Sequence, residues 1–398
     1  MATRNRRTPC ACPGFAAAIS LAALCVLAPS TAFAVADLLE TPARSTELAT
    51  VSLLNDVTRA GDSERLVAVG ERGHIIYSDN GGDNWAQASV PVSVTLTGVD
   101  FGSPSHGWTV GHSGAVLHSS DGGSNWTLQM TGIQAANLAI AGVQREIEAM
   151  EQRLETAAED EVGDLEWALD DLSFGLENMQ ADLSVGPVNP FLDVWFEDAG
   201  YGFVIGAYGM IFHTVDGGNQ WQDWARKLEN GDNYHLNAIT RIAGGALLIV
   251  GEAGQIHVSE DNGNSWERRD SGYEGSLLGV TGTGNSGEAL AFGLRGTVVH
   301  TTDNGQSWER LQTGSTTTLN DGVSAGERLV LVGNNGTLVI REGVDGKFQE
   351  ILRADRLGLM GIVVTGPEKL LLVGEGGVVL MEGDAGLVTE GVEQGAVE

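Results

Sequence analysis

Cysteine is almost missing from this 398-residue chain: Cys10, Cys12 and Cys25 are the only three, and all precede residue 35. A protein cleaved beyond them would carry no thiol, which excludes disulfides, cysteine nucleophiles and thiolate metal ligands together. A chain of this length can bury its own core without such staples. Positive charge is also scarce, with 22 Lys and Arg against 53 Asp and Glu, a formal charge of −31. So negative a surface argues against nucleic acid and against unaided binding to anionic lipid, and it favours basic partners. Long apolar runs are lacking too. After the first residues none approaches the ~20 needed for a membrane helix, which argues against direct membrane insertion.

The start of the chain has a layout of its own. Arg4, Arg6 and Arg7 precede an apolar stretch from Phe15 to about Ala28, and Ala32-Phe33-Ala34 has the small-x-small form of a cleavage site. This reads as a secretory signal peptide over residues 1–34, and hence as an exported protein. A lipid anchor on Cys25 is the alternative, but Leu24 before it is the wrong residue for a lipidation box. Cleavage removes three arginines and no acid, which takes the charge to −34.

What is abundant is repetition. A glycine, two residues and another glycine recur seven times, as Gly70/Gly73, Gly111/Gly114, Gly206/Gly209, Gly251/Gly254, Gly293/Gly296, Gly333/Gly336 and Gly374/Gly377. Fifteen residues after the first glycine stand Trp85, Trp126, Trp221, Trp266, Trp308 and Phe348, while the seventh copy offers Thr389. Each copy opens on an apolar residue: Leu54, Leu96, Phe191, Leu236, Leu277, Leu319 or Leu359. These openers are 42, 95, 45, 41, 42 and 40 residues apart. All but one interval fit a four-stranded propeller blade. The fold class expected is all-β, a seven-bladed β-propeller, with glycines supplying positive φ in the Gly-x-x-Gly hairpin turns. The outer strand of blade 7 could come from the C-terminal LVTEGV or from the N-terminal segment around Ala43 to Leu48.

A second motif follows each third strand: SDNGGDNW (78–85), SSDGGSNW (119–126), TVDGGNQW (214–221), SEDNGNSW (259–266) and TTDNGQSW (301–308). This is the Asp-box, or BNR, pattern, with Asn80 in place of the acid in the first copy. Asp121, Asp216, Asp261 and Asp303 can accept backbone N–H groups within the turn, and the tryptophans can pack against a neighbouring blade. A catalytic residue is needed once, whereas a structural one is needed in every blade, so no catalytic residue is assigned. His118, His213 and His300 likewise hold one equivalent position in three blades and do not converge on a metal. No cofactor or metal site is expected.

The long interval lies between Trp126 and Phe191, and its excess falls at residues 133–185. Here the apolar period changes from two to seven. Ile140, Val143, Ile147, Met150 and Leu154 form one a/d seam; Val162, Leu165, Leu169, Leu172, Leu176, Met179 and Leu183 form another. They predict an antiparallel α-helical hairpin, a coiled coil between blades 2 and 3, joined through the polar EDEVGD around Gly163. The segments expected are therefore a signal peptide (1–34), blades 1–2 (35–132), the helical hairpin (133–185) and blades 3–7 (186–398).

The hairpin carries 13 acids against Arg145 and Arg153. In blades running up, down, up, down, the Gly-x-x-Gly turns and this insertion share one face, and the Asp-boxes line the other. Candidate partner contacts on the turn face are Arg72, His112, Tyr208 and Arg295. The lengthened connector after blade 3 adds Trp224, Arg226, Lys227 and Tyr234, since arginine and aromatic residues are typical interface anchors. The arm adds Glu166, Asp170 and Asp171.

With WTVGHSGAVLHSSDGGSNW as its clearest unit, the repeat resembles the photosystem II stability/assembly factor family, over roughly residues 45–390 apart from the arm. That resemblance implies a propeller without catalysis, exported to the periplasm or the thylakoid lumen, that binds a protein partner belonging to a membrane complex. The acidic arm and the few arginines on the turns look more like relatives from non-photosynthetic bacteria, some of them associated with export pumps of the resistance-nodulation-division type. A sialidase-like glycoside hydrolase and a carbohydrate-binding lectin are the competing readings. The hydrolase would need paired carboxylates, and a sialidase an arginine cluster that the repeat does not supply.

Overall fold

The computed structural model describes residues 37–186, 189–343, 346–366 and 369–382. The expected signal peptide and the LVTEGV segment lie outside them. Six antiparallel sheets have four strands each and a seventh has three, every sheet in simple sequential order. The blades span 54–87, 96–130, 191–223, 236–270, 277–311, 319–352 and 359–382.

The second strands explain why these segments become blades. LVAVG, GWTVG, GFVIG, LLIVG and ALAFG are buried at every residue. An unbroken apolar run is what a strand needs when both of its faces meet another sheet. The first strands alternate more, and they touch one another in a closed cycle that returns from blade 7 to blade 1. The ring is therefore closed, with the first strands at its centre. A core cluster of Leu54, Val57, Leu66, Ala68 and Ile76 from blade 1 with Leu371 and Val373 from blade 7 seals the join.

The N-terminal segment does not complete blade 7. Its Ala43 N–H donates to the Val90 carbonyl (3.0 Å), and Gln87 brackets it, accepting from Thr46 N–H (2.9 Å) and donating to the Arg44 carbonyl (3.0 Å). This lays the segment along the outer edge of blade 1, where the fourth strand has only two residues to cover. Beyond it, the short turn Ala49–Val51 packs against the last strand of blade 7.

The Gly-x-x-Gly turns have a different glycine logic from the one expected. The first glycine is extended (φ −171° at Gly70), while the residue before the second glycine takes positive φ. That residue is Arg72, Ser113, Tyr208, Ala253, Arg295 or Asn335, followed by a glycine that is also positive. Two consecutive residues with positive φ make a turn whose twist suits a tight hairpin. Gly70 is required for close approach instead: a Cβ there would lie 2.1 Å from the Leu53 carbonyl oxygen.

Between blades 2 and 3 stand helices α1 (Gly132–Leu154) and α2 (Glu159–Val185), packed on each other. Thr131 and Gln134 form a reciprocal capping box at the start of α1. The chain reverses at residues 155–158, earlier than the polar EDEVGD, which instead forms the first turn of α2. Glu159, Asp160 and Glu161 sit there because acids are favoured at a helix N-terminus, and this outweighs the glycine at 163.

Candidate partner-binding face

The Asp-box carboxylates are engaged by their own turns. Ser119 Oγ donates to Asp121 Oδ1 (2.9 Å) while accepting from Gly123 N–H (2.9 Å). Asn125 N–H and Nδ2 also donate to Asp121, at 2.9 and 2.7 Å. Partial burial is the largest influence on this carboxyl and raises its pKa, but the hydrogen bonds together hold it below the ordinary value. Asp216, Asp261 and Asp303 repeat the arrangement with Thr214, Ser259 and Thr301. Trp126 donates to the Gly123 carbonyl (2.9 Å) and meets Phe101 edge-on at 6.1 Å. Trp266 reaches across to Phe203 of blade 3 at 6.0 Å, which ties adjacent blades. Trp126, Trp221 and Trp266 are buried, and Trp85 and Trp308 half-buried.

The opposite face is formed by the hairpin turns and the helices, since α1 begins against the blade-2 turn His112–Gly114. Arg72 and His112 line one cleft of about 480 Å³ with Leu38, Glu71 and the 93–95 connector. Tyr208 is exposed; its backbone N–H donates to His235 Nδ1 (3.0 Å), and its ring meets the imidazole at 4.9 Å. Arg295 occupies the positive-φ position of the blade-5 turn.

The blade-3 connector faces inward more than its composition implies. Trp224 donates its indole N–H to the Gly263 carbonyl (2.8 Å) and packs half-buried against the core of blades 3 and 4, with Lys227 Nζ 5.2 Å from its ring centre. The backbone N–H of Tyr234 donates to Asn230 Oδ1 (3.0 Å), which folds the connector on itself. Arg226 pairs with Glu146 of α1 at 3.3 Å. Nearby, burial raises the Asp223 carboxyl, while Arg226 and Arg145 pull it down. These contacts anchor the middle of α1 to the outer strand and connector of blade 3. Arg153 is paired at the tip with Glu161 (3.7 Å). Glu166, Asp170 and Asp171 have no cationic partner among the described residues.

A second set of acids escaped the sequence reading. Asp56, Asp193 and Asp321 each stand two residues after a blade opener, on the central first strands. Each accepts its own strand's next N–H and one N–H from the following blade: Val99, Ile239 and Ile362, all at 2.8 Å. Asp100 does the same with Phe196 N–H at 2.7 Å. For Asp56, Asp193 and Asp321 the shared place in the repeat was the available signal, whereas Asp100 stands four residues after its opener. Where the neighbour must give room the chain has glycine: a Cβ on Gly98 would lie 3.1 Å from Asp193 Oδ1. Desolvation at the packed channel wall raises Asp56 and Asp100 to about 6 and Asp321 to about 7, and lifts Asp193 well above its usual value. Each of these four residues is only partly buried.

The histidines belong to separate clusters. His118 stacks on Trp108 (4.8 Å) and meets His106 Nδ1 at 3.1 Å, while His300 pairs with Glu288 at 2.8 Å. Among the described residues no group of three metal-ligating side chains converges.

Closed ring, Asp-boxes on one face and tight turns with an inserted arm on the other define a seven-bladed Asp-box β-propeller. Residues 38–130, 77–146 and 177–321, more than half of the chain, match the family described as photosynthesis system II assembly factor YCF48, and the chain belongs to that family. The photosystem II assembly lipoprotein Ycf48 of Synechococcus sp. (strain CC9902) is 36% identical over 100 residues. That match spans 25% of this chain and 29% of the relative's length. Among solved structures, YCF48 bound to D1 peptide is similar with a TM-score of 0.57 and 16% identity, covering 84% of this chain and 94% of the other. YCF48 from Cyanidioschyzon merolae gives 0.58 and 13%, covering 87% and 99%. The WD40 propeller of Doa1 gives 0.56 and 10%, covering 88% and 99%, so these structural likenesses speak for the fold alone.

Proposed function

We propose that this chain is an exported, non-catalytic scaffold that binds a protein subunit and aids the assembly or coupling of a membrane complex. The observation that carries this reading is the division of labour between the two faces. The repeated acids that resemble a catalytic motif are engaged by their own turns, whereas Arg72, His112, Tyr208 and Arg295 present varied side chains on the turn face. The YCF48 structure with a D1 peptide gives a precedent for a protein ligand in this family. In a photosynthetic host the client would be a photosystem subunit in the thylakoid lumen. In a non-photosynthetic host it would be a periplasmic part of a membrane assembly such as a resistance-nodulation-division pump.

Crosslinking and affinity capture from the exported fraction tests this. A defined membrane-complex subunit is expected, with recovery reduced by Arg72→Glu together with Arg295→Glu. Recovery of no protein partner, with or without residues 133–185, overturns it.

A further inference from the structure

The chain's exposed Trp and Phe, among the described residues, are both on α2. Trp167 is 72% and Phe174 65% exposed, with Val185 at 85% further along. Spacings of 7 and 18 residues return to the same side of a helix at 3.6 residues per turn, so the three form one stripe about 27 Å long. Leu165 and Leu172, the buried residues of α2, precede Trp167 and Phe174 by two, about 200° around the helix. Helix α2 is therefore apolar on two opposite sides: one is covered by α1 and the other is open. Isolated exposed apolar residues are ordinary, but two aromatics two turns apart on one stripe are a docking pattern.

Charge decides what fits. The 27 residues of α2 contain nine acids and no Lys, Arg or His. Glu166, Asp170 and Asp171 flank the aromatic stripe, and both arginines of α1 are already engaged, Arg145 beside Asp223 and Arg153 with Glu161. A second copy would set like charges against each other, and an anionic lipid surface would repel them. A partner helix with an apolar face bordered by Lys and Arg matches both the stripe and its flanks.

We propose that the outer side of α2, centred on Trp167 and Phe174, docks a basic amphipathic helix of a partner protein and thereby completes a three-helix bundle. This rests on the protein-binding reading above and assigns a site and a partner chemistry to it. The matched family segments leave out residues 147–176, which hold both aromatics.

The test uses the full chain and a fluorescent leucine–lysine amphipathic helix of roughly 20 residues, long enough to cover the stripe. A leucine–glutamate helix is the charge control, and circular dichroism checks that each variant is folded. Trp167→Ala with Phe174→Ala is expected to weaken binding at least tenfold. Asp170→Asn with Asp171→Asn should weaken it severalfold and lessen its salt dependence. Glu148→Gln with Glu151→Gln on α1 should leave it within twofold. Equal binding by wild type and the aromatic variant, or equal binding of the glutamate helix, overturns the proposal. So does a concentration-dependent dimer, or binding to neutral lipid vesicles, that is lost in the aromatic variant. If that variant still captures the native client in full, the docking site is wrong but the scaffold reading stands. If wild type captures none, the scaffold reading itself fails.

Discussion

At the rim, Asp121 sits at the mouth of a turn and collects hydrogen bonds from Ser119, from Ser124 N–H, and from both the backbone and side chain of Asn125. At the channel wall, Asp56 collects two, from Val57 and Val99, within packed strands. The first carboxyl ends below its usual pKa and the second is raised to about 6. Both acids accept backbone hydrogen bonds, yet they tie together different things. The rim acid closes a turn within one blade. The wall acid joins two blades and is repelled by its fellows, since Asp56 and Asp100 raise Asp193, and Asp56 raises Asp321. Neighbouring donors and available water, and not residue type, decide the electrostatic role of an aspartate.

The largest effect expected bears on the rim. If its main contribution is the aromatic that follows the turn, Trp126→Ala should destabilise the protein by about 3–5 kcal/mol, as truncation of a buried aromatic does. A urea midpoint barely below wild type would show that the rim relies on its hydrogen bonds instead.

Next comes pH, where the two sets of acids act in opposite directions. The wall acids have folded pKa values above the unfolded one, so their contribution is fully present below pH 3.8 and is lost as pH rises through about 6 to 7. The lowered rim acids Asp121, Asp261 and Asp303 contribute above the unfolded value, and lose this as pH falls through their folded values. The wall acids alone should therefore make stability rise on acidification from pH 8 towards pH 4, against the opposing trend of buried His257, whose imidazole is pushed down to about 4 by burial. Asp321→Asn should flatten that rise. Urea unfolding of wild type and Asp321→Asn across pH 4 to 8 measures this, and parallel profiles for the two proteins contradict the assignment.

The smallest effect is Asp121→Asn. Asn80 already stands at this position in blade 1, accepting from Ser78 Oγ at 2.9 Å and from Asn84 N–H at 3.0 Å. The amide can thus keep the turn closed, and the cost should be about 1 kcal/mol or less. A loss as large as that of Trp126→Ala would mean that the rim depends on charge.

Legibility followed the range of the interaction. The blades, the Asp-boxes and the helical hairpin are written in local spacing, because a turn and a strand need only their own neighbours in the chain. The reversal at residues 155–158 was misplaced because Gly163 looked like a breaker, whereas acids in the first turn make that stretch helical. Trp224 read as a surface anchor because nothing nearby in sequence shows that Gly263, 39 residues on, accepts its indole N–H. The wall aspartates went unnoticed because each looks like one acid in one strand. Their meaning comes from the next blade, whose N–H groups lie 41 to 96 residues away.

By itself, then, the sequence determined seven units, their turns, the inserted arm and its negative charge, all consequences of short-range periodicity. Tertiary structure decided where the N-terminal segment lies, which glycine of each pair takes positive φ, and which aspartates are forced together at the channel. It also decided that one side of α2 is covered and the other open. These depend on which surfaces meet when the ring closes, and a one-dimensional pattern does not carry that information.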